Sequence, residues 1–249
     1  MASHSAVALV SGANRGIGRA VATSLAKDHG YTVLIGSRNL ADGEEVAQGL
    51  RAEGYKAQAI QLDLTSDESI HKAADVIDQA YGRLDVLVNN AAVLLDRYDE
   101  RKPDLTPREL FRQTFEINVF GTAILTDALL PLLRKAAPGP PRVVFVSTRM
   151  ASMAEGTNRE MPFFFVDFKA YDSSKSAANM LALNYARLLE DVGGLVNVVC
   201  PGFVSTGLNF NNEAALPTEV GAQRIVEMAT LDKNGAQATF TDKDGPIPW

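Results

Sequence analysis

Residues 7–18 read Val7-Ala8-Leu9-Val10-Ser11-Gly12-Ala13-Asn14-Arg15-Gly16-Ile17-Gly18 and lead into a helical pattern. The first four residues form a short apolar run, which is typical of a buried parallel strand. The glycines let the backbone turn sharply and approach a pyrophosphate at the N-terminus of the helix. Their spacing is Gly-x-x-x-Gly-x-Gly, which differs from the Gly-x-Gly-x-x-Gly of the usual dinucleotide fingerprint. The stretch predicts a nucleotide-binding turn, and an ordinary strand-to-helix turn is the alternative. The predicted cofactor contacts in it are Ser11, Gly12, Asn14, Arg15, Gly16, Ile17 and Gly18.

Short apolar runs alternate with longer amphipathic ones along the rest of the chain. The predicted strands are Val7–Val10, Thr32–Ile35, Ala57–Leu62, Val86–Val88, Val143–Val146 and Val196–Val199. The predicted helices are Gly18–Asp28, Asp42–Glu53, Ser66–Ala80, Pro107–Ala136 and Tyr171–Glu190. This alternation predicts an α/β fold with a doubly wound, Rossmann-type parallel sheet. The sequence contains no internal repeat and no low-complexity linker, so we expect residues 1–249 to form a single domain.

The overall composition limits the classes of partner. The formal net charge of -6 argues against nucleic acid as a partner. The single cysteine, Cys200, excludes an internal disulfide and fits a reducing compartment. No stretch is predicted to be apolar enough, for long enough, to span a membrane, and residues 1–5 lack the features of a signal peptide. We therefore expect a cytoplasmic protein without a membrane partner. His4, His29 and His71 are scattered, which predicts no metal site.

The end of the second strand indicates which dinucleotide binds. An acidic residue at this place would accept hydrogen bonds from a ribose 2′-hydroxyl. The chain instead has Gly36-Ser37-Arg38-Asn39, and Arg15 lies in the glycine turn. Because an arginine fork matches a phosphate and a carboxylate would repel it, Ser37 and Arg38 predict NADP(H) rather than NAD(H). The alternative is that Arg38 is only a surface residue.

Two further strand ends offer cofactor contacts. Asp63 and Leu64 follow the third strand, where a carboxylate can meet an adenine amino group. Asn89-Asn90-Ala91-Ala92 follows the fourth strand, where small residues would admit the cofactor and Asn90 would contact it.

Tyr171 and Lys175 are four residues apart in a helical pattern, so the ammonium can lie beside the phenol. A nearby cation favours the phenolate, and we expect it to lower the tyrosine pKa from its ordinary value of about 10. Such a tyrosine could exchange a proton with an alcohol or ketone near neutral pH. Two residues on a solvated helix face are the alternative.

Taken together, these motifs resemble those of the short-chain dehydrogenase/reductase family over nearly the whole chain. Ser11–Gly18 corresponds to the glycine motif of the family, Asn89–Ala92 to its Asn-Asn-Ala-Gly segment, and Tyr171–Lys175 to its active-site motif. Pro201-Gly202-Phe203-Val204-Ser205-Thr206 resembles the segment that covers the nicotinamide. Asn118 occupies the place of the catalytic asparagine of the family.

The resemblance implies a reaction and a role for each residue. Within the family, residues 8–18 and 200–204 are most similar to the NADPH-dependent carbonyl reductases. NADPH would supply hydride to a ketone or aldehyde, Tyr171 would give the proton, and Thr148 would donate a hydrogen bond to the oxygen. Lys175 would stabilise the tyrosinate and bind the nicotinamide ribose, and Asn118 would hold a water that connects Lys175 to solvent. The remaining cofactor contacts implied are Pro201, Gly202, Val204 and Thr206, with Thr206 near the carboxamide.

Two features depart from the family pattern. The fifth strand ends in Ser147-Thr148, and only one of these hydroxyls can point at the substrate. Family spacing favours Thr148 and places Ser147 against the cofactor. The segment before Tyr171 is longer than in most members. Its extra residues, near 155–169, include Met161-Pro162-Phe163-Phe164-Phe165. They are predicted to form a wall of the substrate pocket, or alternatively a plug over an edge or a subunit contact.

The predicted function is NADPH-dependent reduction of a ketone or aldehyde. The extra aromatic residues suggest an apolar or aromatic substrate, such as a quinone or a polyketide-like ketone. An NADP-dependent alcohol dehydrogenase running in the oxidative direction is an alternative, because the same residues catalyse both directions. A non-catalytic NADPH-binding regulator is another, although it would not need Tyr171 and Lys175. A methyltransferase would share only the glycine turn. The sequence leaves open whether the protein is a monomer or a homo-oligomer.

Overall fold

A computed structural model describes residues 5–96, 105–161, 163–209 and 211–249. Within these residues an eight-stranded sheet has the order β3-β2-β1-β4-β5-β6-β7-β8, and only β8 runs antiparallel to its neighbour. The strands are β1 Val7–Ser11, β2 Thr32–Ser37, β3 Ala57–Gln61, β4 Val86–Asn89, β5 Arg142–Val146, β6 Leu195–Val199, β7 Phe240–Asp242 and β8 Gly245–Pro246. The predicted α/β fold with a doubly wound parallel sheet is confirmed.

Helices cover both faces of the sheet. They are α1 Gly16–Lys27, α2 Leu40–Ala52, α3 Asp67–Tyr81, α4 Pro107–Phe115, α5 Thr122–Leu133, α6 Lys169–Leu188 and α7 Thr218–Ala229. Apolar residues of α3, α5 and α6 pack with one set of strand side chains, and those of α1, α2 and α7 pack with the other set. Alternate strand residues such as Leu9 and Val10 belong to opposite clusters, as the pleat of a strand requires. Strands β1, β4 and β6 are buried at every residue, which explains why their sequences are mostly apolar, whereas the edge strands β3 and β8 are partly exposed.

The predicted helix Pro107–Ala136 is interrupted. Thr106 and Glu109 form a reciprocal capping box that starts α4, with Pro107 in the first turn. A π-helical turn, Glu116–Gly121, then separates α4 from α5. At Gly121 an added Cβ would lie 2.1 Å from the Leu64 carbonyl oxygen, so the helix approaches the loop after β3 too closely for any side chain.

The prediction that no stretch could span a membrane was wrong as a statement about length and composition. The helical run Pro107–Leu133 is long and apolar enough to do so. In the fold, Leu125, Leu129 and Leu133 are fully buried in the core beneath the sheet. Packing in a protein core thus accounts for the buried apolar residues of this run, while Phe111 and Phe120 on it are exposed.

The last two strands were not predicted from the sequence. β7 pairs with β6 through Val198–Phe240 and Val199–Thr241, and β8 folds back on β7. Residues 243–244 form the turn between them. The carboxyl ends of β1, β4, β5 and β6 lie next to one another in the sheet, and the predicted site residues follow those ends.

Candidate active site

The turns after β1 and β4 are joined by hydrogen bonds. Ser11 Oγ accepts from the backbone N–H groups of Asn90 and Ala91, each at 3.0 Å, and donates to the Val88 carbonyl oxygen. Asn90 Nδ2 donates to the Ser11 carbonyl oxygen at 2.8 Å. Ser11 and Asn90 are 79 positions apart in the sequence. The structure therefore brings together two predicted cofactor-binding segments that are distant along the chain.

Glycine is required in the first turn for two different reasons. Gly12 and Gly16 have φ of 65° and 56°, a left-handed backbone that favours glycine. Gly18 has no such constraint, but an added Cβ would lie 2.5 Å from both the Gly12 carbonyl oxygen and Asn90 Nδ2. The turn is therefore closely packed at the N-terminus of α1, where backbone N–H groups can receive an anion. Asn14 and Ile17 lie half-buried on the same turn.

Two arginines lie exposed at this edge of the sheet. Arg15 and Arg38 form no ion pair with any described residue. Ser37 is buried, and its hydroxyl donates to the Asn39 carbonyl oxygen, which fixes the turn that presents Arg38. Unpaired guanidinium groups at the ends of β1 and β2 are available for a phosphate group.

The loop after β3 is more constrained than we expected from the sequence. Asp63 Oδ1 accepts from both the N–H and the hydroxyl of Thr65, so this oxygen stabilises the turn. The Leu64 side chain is buried in the core. A contact between Leu64 and a cofactor would therefore have to involve its backbone, and Asp63 would have to use its other oxygen.

Tyr171 lies in the first turn of α6, and Lys175 lies one turn later. The Lys175 ammonium is 5.9 Å from the centroid of the Tyr171 ring, so the predicted proximity of these groups is found. The Lys175 side chain is buried, and its Nζ donates to the Val146 carbonyl oxygen at 2.8 Å. This bond links α6 to the end of β5, directly before Ser147 and Thr148.

The expected direction of the tyrosine pKa shift was wrong for this structure. Burial raises the pKa of Tyr171, and the negative charges of Cys200 and Asp172 in their ionised forms add to the effect. Burial also lowers the pKa of Lys175 to about 8. Removal from water disfavours the charged forms of both groups. Near neutral pH the site therefore holds a neutral phenol beside a protonated amine.

The two hydroxyls at the end of β5 have different surroundings. Thr148 is half-buried and extended, and its Oγ1 accepts from the Met150 N–H at 3.3 Å. Ser147 is buried, and its Oγ has no hydrogen-bond partner among the described residues. A buried hydroxyl without a partner is destabilising, so Ser147 is available for a ligand group or a water. The more accessible Thr148 hydroxyl can reach a substrate, as family spacing implies.

Asn118 lies in the π-helical turn and is fully engaged with protein groups. Its Oδ1 accepts from the Val93 N–H, and its Nδ2 donates to the Val93 carbonyl oxygen and to Ser174 Oγ, at 2.9, 2.9 and 3.0 Å. Because its amide is already occupied, a water linked to Lys175 would have to bind its backbone. A π-helical turn leaves carbonyl groups outside the regular α-helical ladder, which permits such a contact.

The Pro-Gly segment after β6 closes over the glycine turn. Gly202 has φ of 83°, and Val204 is buried against the position of Gly221. The Ser205 N–H donates to the Leu216 carbonyl oxygen, and the Phe203 carbonyl oxygen accepts from the Leu216 N–H, which ties this segment to the residues just before α7. An added Cβ at Gly16 would lie 3.6 Å from the Thr206 methyl group, so Thr206 and the glycine turn face each other. Pro201 is half-buried at the start of this segment.

The extra residues before α6 pack against the Pro-Gly segment. The Phe163 and Phe203 rings are 5.4 Å apart, and Phe163 has φ of 70°, which is unusual for a bulky residue. The extra residues also enclose a small cavity, which is lined by Met150, Glu155, Gly156, Met161, Phe163, Phe164, Val166 and Asp172. Burial, with Asp96 and Asp167, raises the pKa of Asp172 to about 7. Pro162 lies outside the described residues. The contacts with Phe203 favour a pocket wall.

Sequence reasoning missed two groups of residues around the site. Arg149, directly after Thr148, pairs with both Glu155 and Asp242 and so ties the extra segment to β7. Asp96, after β4, accepts hydrogen bonds from the first turn of α6. Except for the Arg149–Glu155 pair, these contacts join residues that are distant in the sequence. No local motif therefore indicates these contacts.

Comparisons with known proteins agree with this architecture. The family described as short chain dehydrogenase matches residues 6–216. The short-chain dehydrogenase/reductase eupG of Phoma sp is 34% identical over 98% of this chain and 97% of the relative. Carbonyl reductase [NADPH] 1 of Sus scrofa is 31% identical over 100% of this chain and 96% of the relative. The RhlG/NADP active-site complex of Pseudomonas aeruginosa has a TM-score of 0.81 at 25% identity, covering 96% of this chain and 95% of that one.

The chain belongs to the short-chain dehydrogenase/reductase family. Its relatives are oxidoreductases that act on C=O and CH–OH groups, and this chain is an enzyme of the same class.

Proposed function

We propose that this enzyme reduces a ketone or aldehyde with NADPH, and that Tyr171 supplies the proton. The observation that carries the proposal is the neutral Tyr171 phenol beside the buried Lys175 ammonium, at the sheet edge where the glycine turn and Thr148 also lie. The named relatives support it, since carbonyl reductases that use NADPH and a complex with NADP are among them.

The residues that follow β1 and β2, which we call the nucleotide edge, fit NADPH. The close packing around Gly18 leaves backbone N–H groups of α1 open to a pyrophosphate, and Arg15 and Arg38 offer cations for a 2′-phosphate. The region of Arg38 has no acidic residue in Gly36-Ser37-Arg38-Asn39 that would favour a free 2′-hydroxyl. When bound, NADPH supplies the hydride.

The protein groups orient the carbonyl and manage the proton. Thr148 donates a hydrogen bond to the carbonyl oxygen, and Tyr171 donates its phenolic proton to the same oxygen as negative charge develops there. Lys175 then stabilises the phenolate, because opposite charges attract strongly in a site with little water. The raised pKa of Tyr171 keeps the proton on the phenol until the reaction begins.

Aromatic residues support an apolar carbonyl substrate. Phe163 and Phe203 pack together where the extra segment meets the Pro-Gly segment, and both rings are partly exposed. Such a surface can bury an aromatic or aliphatic substrate. A cytosolic location also belongs to the proposal, supported by the single buried Cys200.

The test is an assay of NADPH oxidation by the purified protein with a panel of ketones, aldehydes and quinones, and with NADH as the alternative cofactor. Tyr171→Phe should retain the fold and NADPH affinity but less than about a tenth of the wild-type rate, because general acid catalysis contributes about 100-fold or more. Tyr81→Phe is the matched control, since it removes a phenol that binds Gln58 far from the site. Turnover with NADPH that survives in Tyr171→Phe would contradict the role of Tyr171. Oxidation of alcohols by NADP⁺ without measurable reduction would favour the alcohol dehydrogenase instead.

A further inference from the structure

The segment Val93–Asp96, which we call the strap, is fixed at both ends next to the catalytic tyrosine. At its first residue, the Val93 N–H and carbonyl oxygen both bind the Asn118 side chain. At its last residue, the Asp96 carboxylate accepts from the backbone N–H groups of Ala170 and Tyr171 at 2.7 and 2.9 Å. The strap therefore connects the π-helical turn to the backbone of Tyr171 itself.

Ser174 completes a closed set of hydrogen bonds. Its hydroxyl donates to the Tyr171 carbonyl oxygen at 2.7 Å and accepts from Asn118 Nδ2 at 3.0 Å. The peptide groups on both sides of the Tyr171 Cα are thus held, the N–H by Asp96 and the carbonyl by Ser174. Movement of this residue would break contacts to two other parts of the chain.

Asp96 is the main capping group at the start of α6, where the local Asp167 carboxylate accepts only from the Lys169 N–H, at 3.4 Å. The N-cap residue of this helix, Phe168, makes no side-chain capping hydrogen bond. The first N–H groups of a helix lack intrahelical partners, and a carboxylate satisfies them with charge-assisted bonds. Asp96 provides that cap from 74 positions away, measured to Ala170. Its distance in sequence means that the strap and the helix must fold together for the cap to form.

We propose that Asp96 is a positioning residue, which fixes the Tyr171 backbone so that the phenol meets the substrate carbonyl. It acts through Tyr171 and touches neither substrate nor cofactor in the reaction. The inference rests on the proposed function of Tyr171 as proton donor. It predicts that loss of Asp96 harms the chemical step more than binding, because small errors in the position of a catalytic group are costly.

The experiment compares Asp96→Ala and Asp96→Asn with Thr106→Ala. Asp96→Ala should lower kcat by about 10- to 100-fold, with KM and the NADPH dissociation constant within about threefold. Asp96→Asn retains an amide oxygen as acceptor and should recover at least half of that loss on a logarithmic scale. Thr106→Ala removes the cap of α4, where Thr106 and Glu109 bind reciprocally, so it should lower the melting temperature and leave kcat unchanged. A kcat within twofold of wild type in Asp96→Ala, or an equal kcat loss in Thr106→Ala, would overturn the proposal.

Amide hydrogen exchange separates this proposal from the proposed function. In folded Asp96→Ala the amides of Ala170 and Tyr171 should exchange at least about tenfold faster than in wild type, while α3 remains protected. Unchanged exchange at these two amides would overturn the positioning role whatever the activity. Faster exchange in a protein whose wild type shows no NADPH-linked turnover would instead overturn the proposed function and leave the positioning of Tyr171 intact.

Discussion

The nucleotide edge and the catalytic corner, by which we mean Thr148, the first turn of α6 and the strap, are held in place by different kinds of contact. At the nucleotide edge, short contiguous motifs place backbone groups and the exposed cations Arg15 and Arg38. At the catalytic corner, the first turn of α6 is held by the carboxylate of Asp96, which is distant in sequence. The backbone turns of the first region are therefore specified by local sequence, although hydrogen bonds between Ser11 and Asn90 join two of them across the sheet. The position of Tyr171 in the second region depends on a distant contact that only the complete fold creates.

The two regions also differ in charge. The nucleotide edge presents guanidinium groups without partners among the described residues, which suits a ligand rich in phosphate. Asp96, Asp167 and Asp172 lie close enough at the start of α6 that the first two help raise the pKa of Asp172 to about 7. This difference predicts that a charge reversal at the nucleotide edge affects the choice of cofactor, while the catalytic corner determines the pH dependence.

The largest effect is expected for Arg38→Asp. It removes charge-assisted bonds to a 2′-phosphate and introduces a carboxylate that can accept from a 2′-hydroxyl. The preference for NADPH over NADH should fall by about 100-fold or more, corresponding to about 3 kcal/mol. Dissociation constants of both cofactors, measured by fluorescence titration, give this ratio directly.

Arg19→Asp is the matched control, because it makes the same change in net charge on the exposed surface of α1. If both variants change the ratio equally, the preference comes from general surface charge and Arg38 has no specific role. Better use of NADH than NADPH by the wild-type enzyme would contradict the assignment of Arg38 outright.

The next effect concerns pH at the catalytic corner. Because burial lowers the pKa of Lys175 to about 8, the ammonium is lost above that pH, and kcat/KM for reduction should fall about tenfold per pH unit there. Lys175→Arg stays charged, so any activity it keeps should not show this decline. Asp172, with a pKa of about 7, is a separate group that Asp172→Asn removes from the profile.

Lys175 should affect stability in the opposite direction, because its contribution to the free energy of unfolding rises over the pH range in which kcat/KM falls. An unfolded lysine holds its proton up to about pH 10.4, whereas the folded one releases it near 8. Between these values the unfolded state binds more protons, so the contribution of Lys175 to the free energy of unfolding rises with pH. The free energy of unfolding, measured by denaturant titration across this pH window, should change with pH at different slopes in wild type and Lys175→Met. Equal slopes would contradict the lowered pKa of Lys175.

These contrasts explain which features the sequence could predict. The turn Ser11–Gly18 was recognisable because glycine backbone requirements are local, and the proximity of Tyr171 and Lys175 followed from helix periodicity. The direction of the Tyr171 pKa shift was wrong because burial depends on the surrounding fold. The strand β7 was missed because its three residues are defined by pairing with β6 rather than by a pattern of their own.

The interruption between α4 and α5 also could not be predicted from the local sequence. Nothing in the apolar pattern around Asn118 distinguishes a π-helical turn from a regular helix. The turn becomes intelligible only with the close approach of Gly121 to Leu64 and the bonds from Asn118 to Val93 and Ser174. The catalytic role of Asn118, Thr148 and the cofactor residues stays a prediction, which the experiments above address.

A smaller effect is expected for Gly18→Ala at the nucleotide edge. The new Cβ would meet the Gly12 carbonyl oxygen and Asn90 Nδ2 at 2.5 Å, so the free energy of unfolding should fall by about 1–3 kcal/mol. NADPH affinity should fall as well, because the two turns can no longer pack as closely. Gly49→Ala in α2 is the control: no atom of the described residues lies within 4 Å of its added Cβ, and it should stabilise the protein by about 0.5–1 kcal/mol. Equal effects of both changes on stability would show that packing between the turns is unimportant.

The smallest effect is expected for Phe163→Ala at the catalytic corner. Loss of the ring that packs on Phe203 removes apolar surface from the proposed pocket wall, so KM for an aromatic carbonyl should rise by about threefold to tenfold, or about 1 kcal/mol. Both kcat and NADPH affinity should change little, because neither Tyr171 nor the glycine turn is touched. Phe165→Ala is the matched control, since its ring is 79% exposed. If the two variants raise KM equally, or neither does, the extra segment is no pocket wall and its aromatic residues serve an edge or a subunit contact. A selective effect of Phe163 would show that the catalytic corner determines substrate choice through packing between distant segments, just as its tyrosine is positioned by a hydrogen bond from a distant segment.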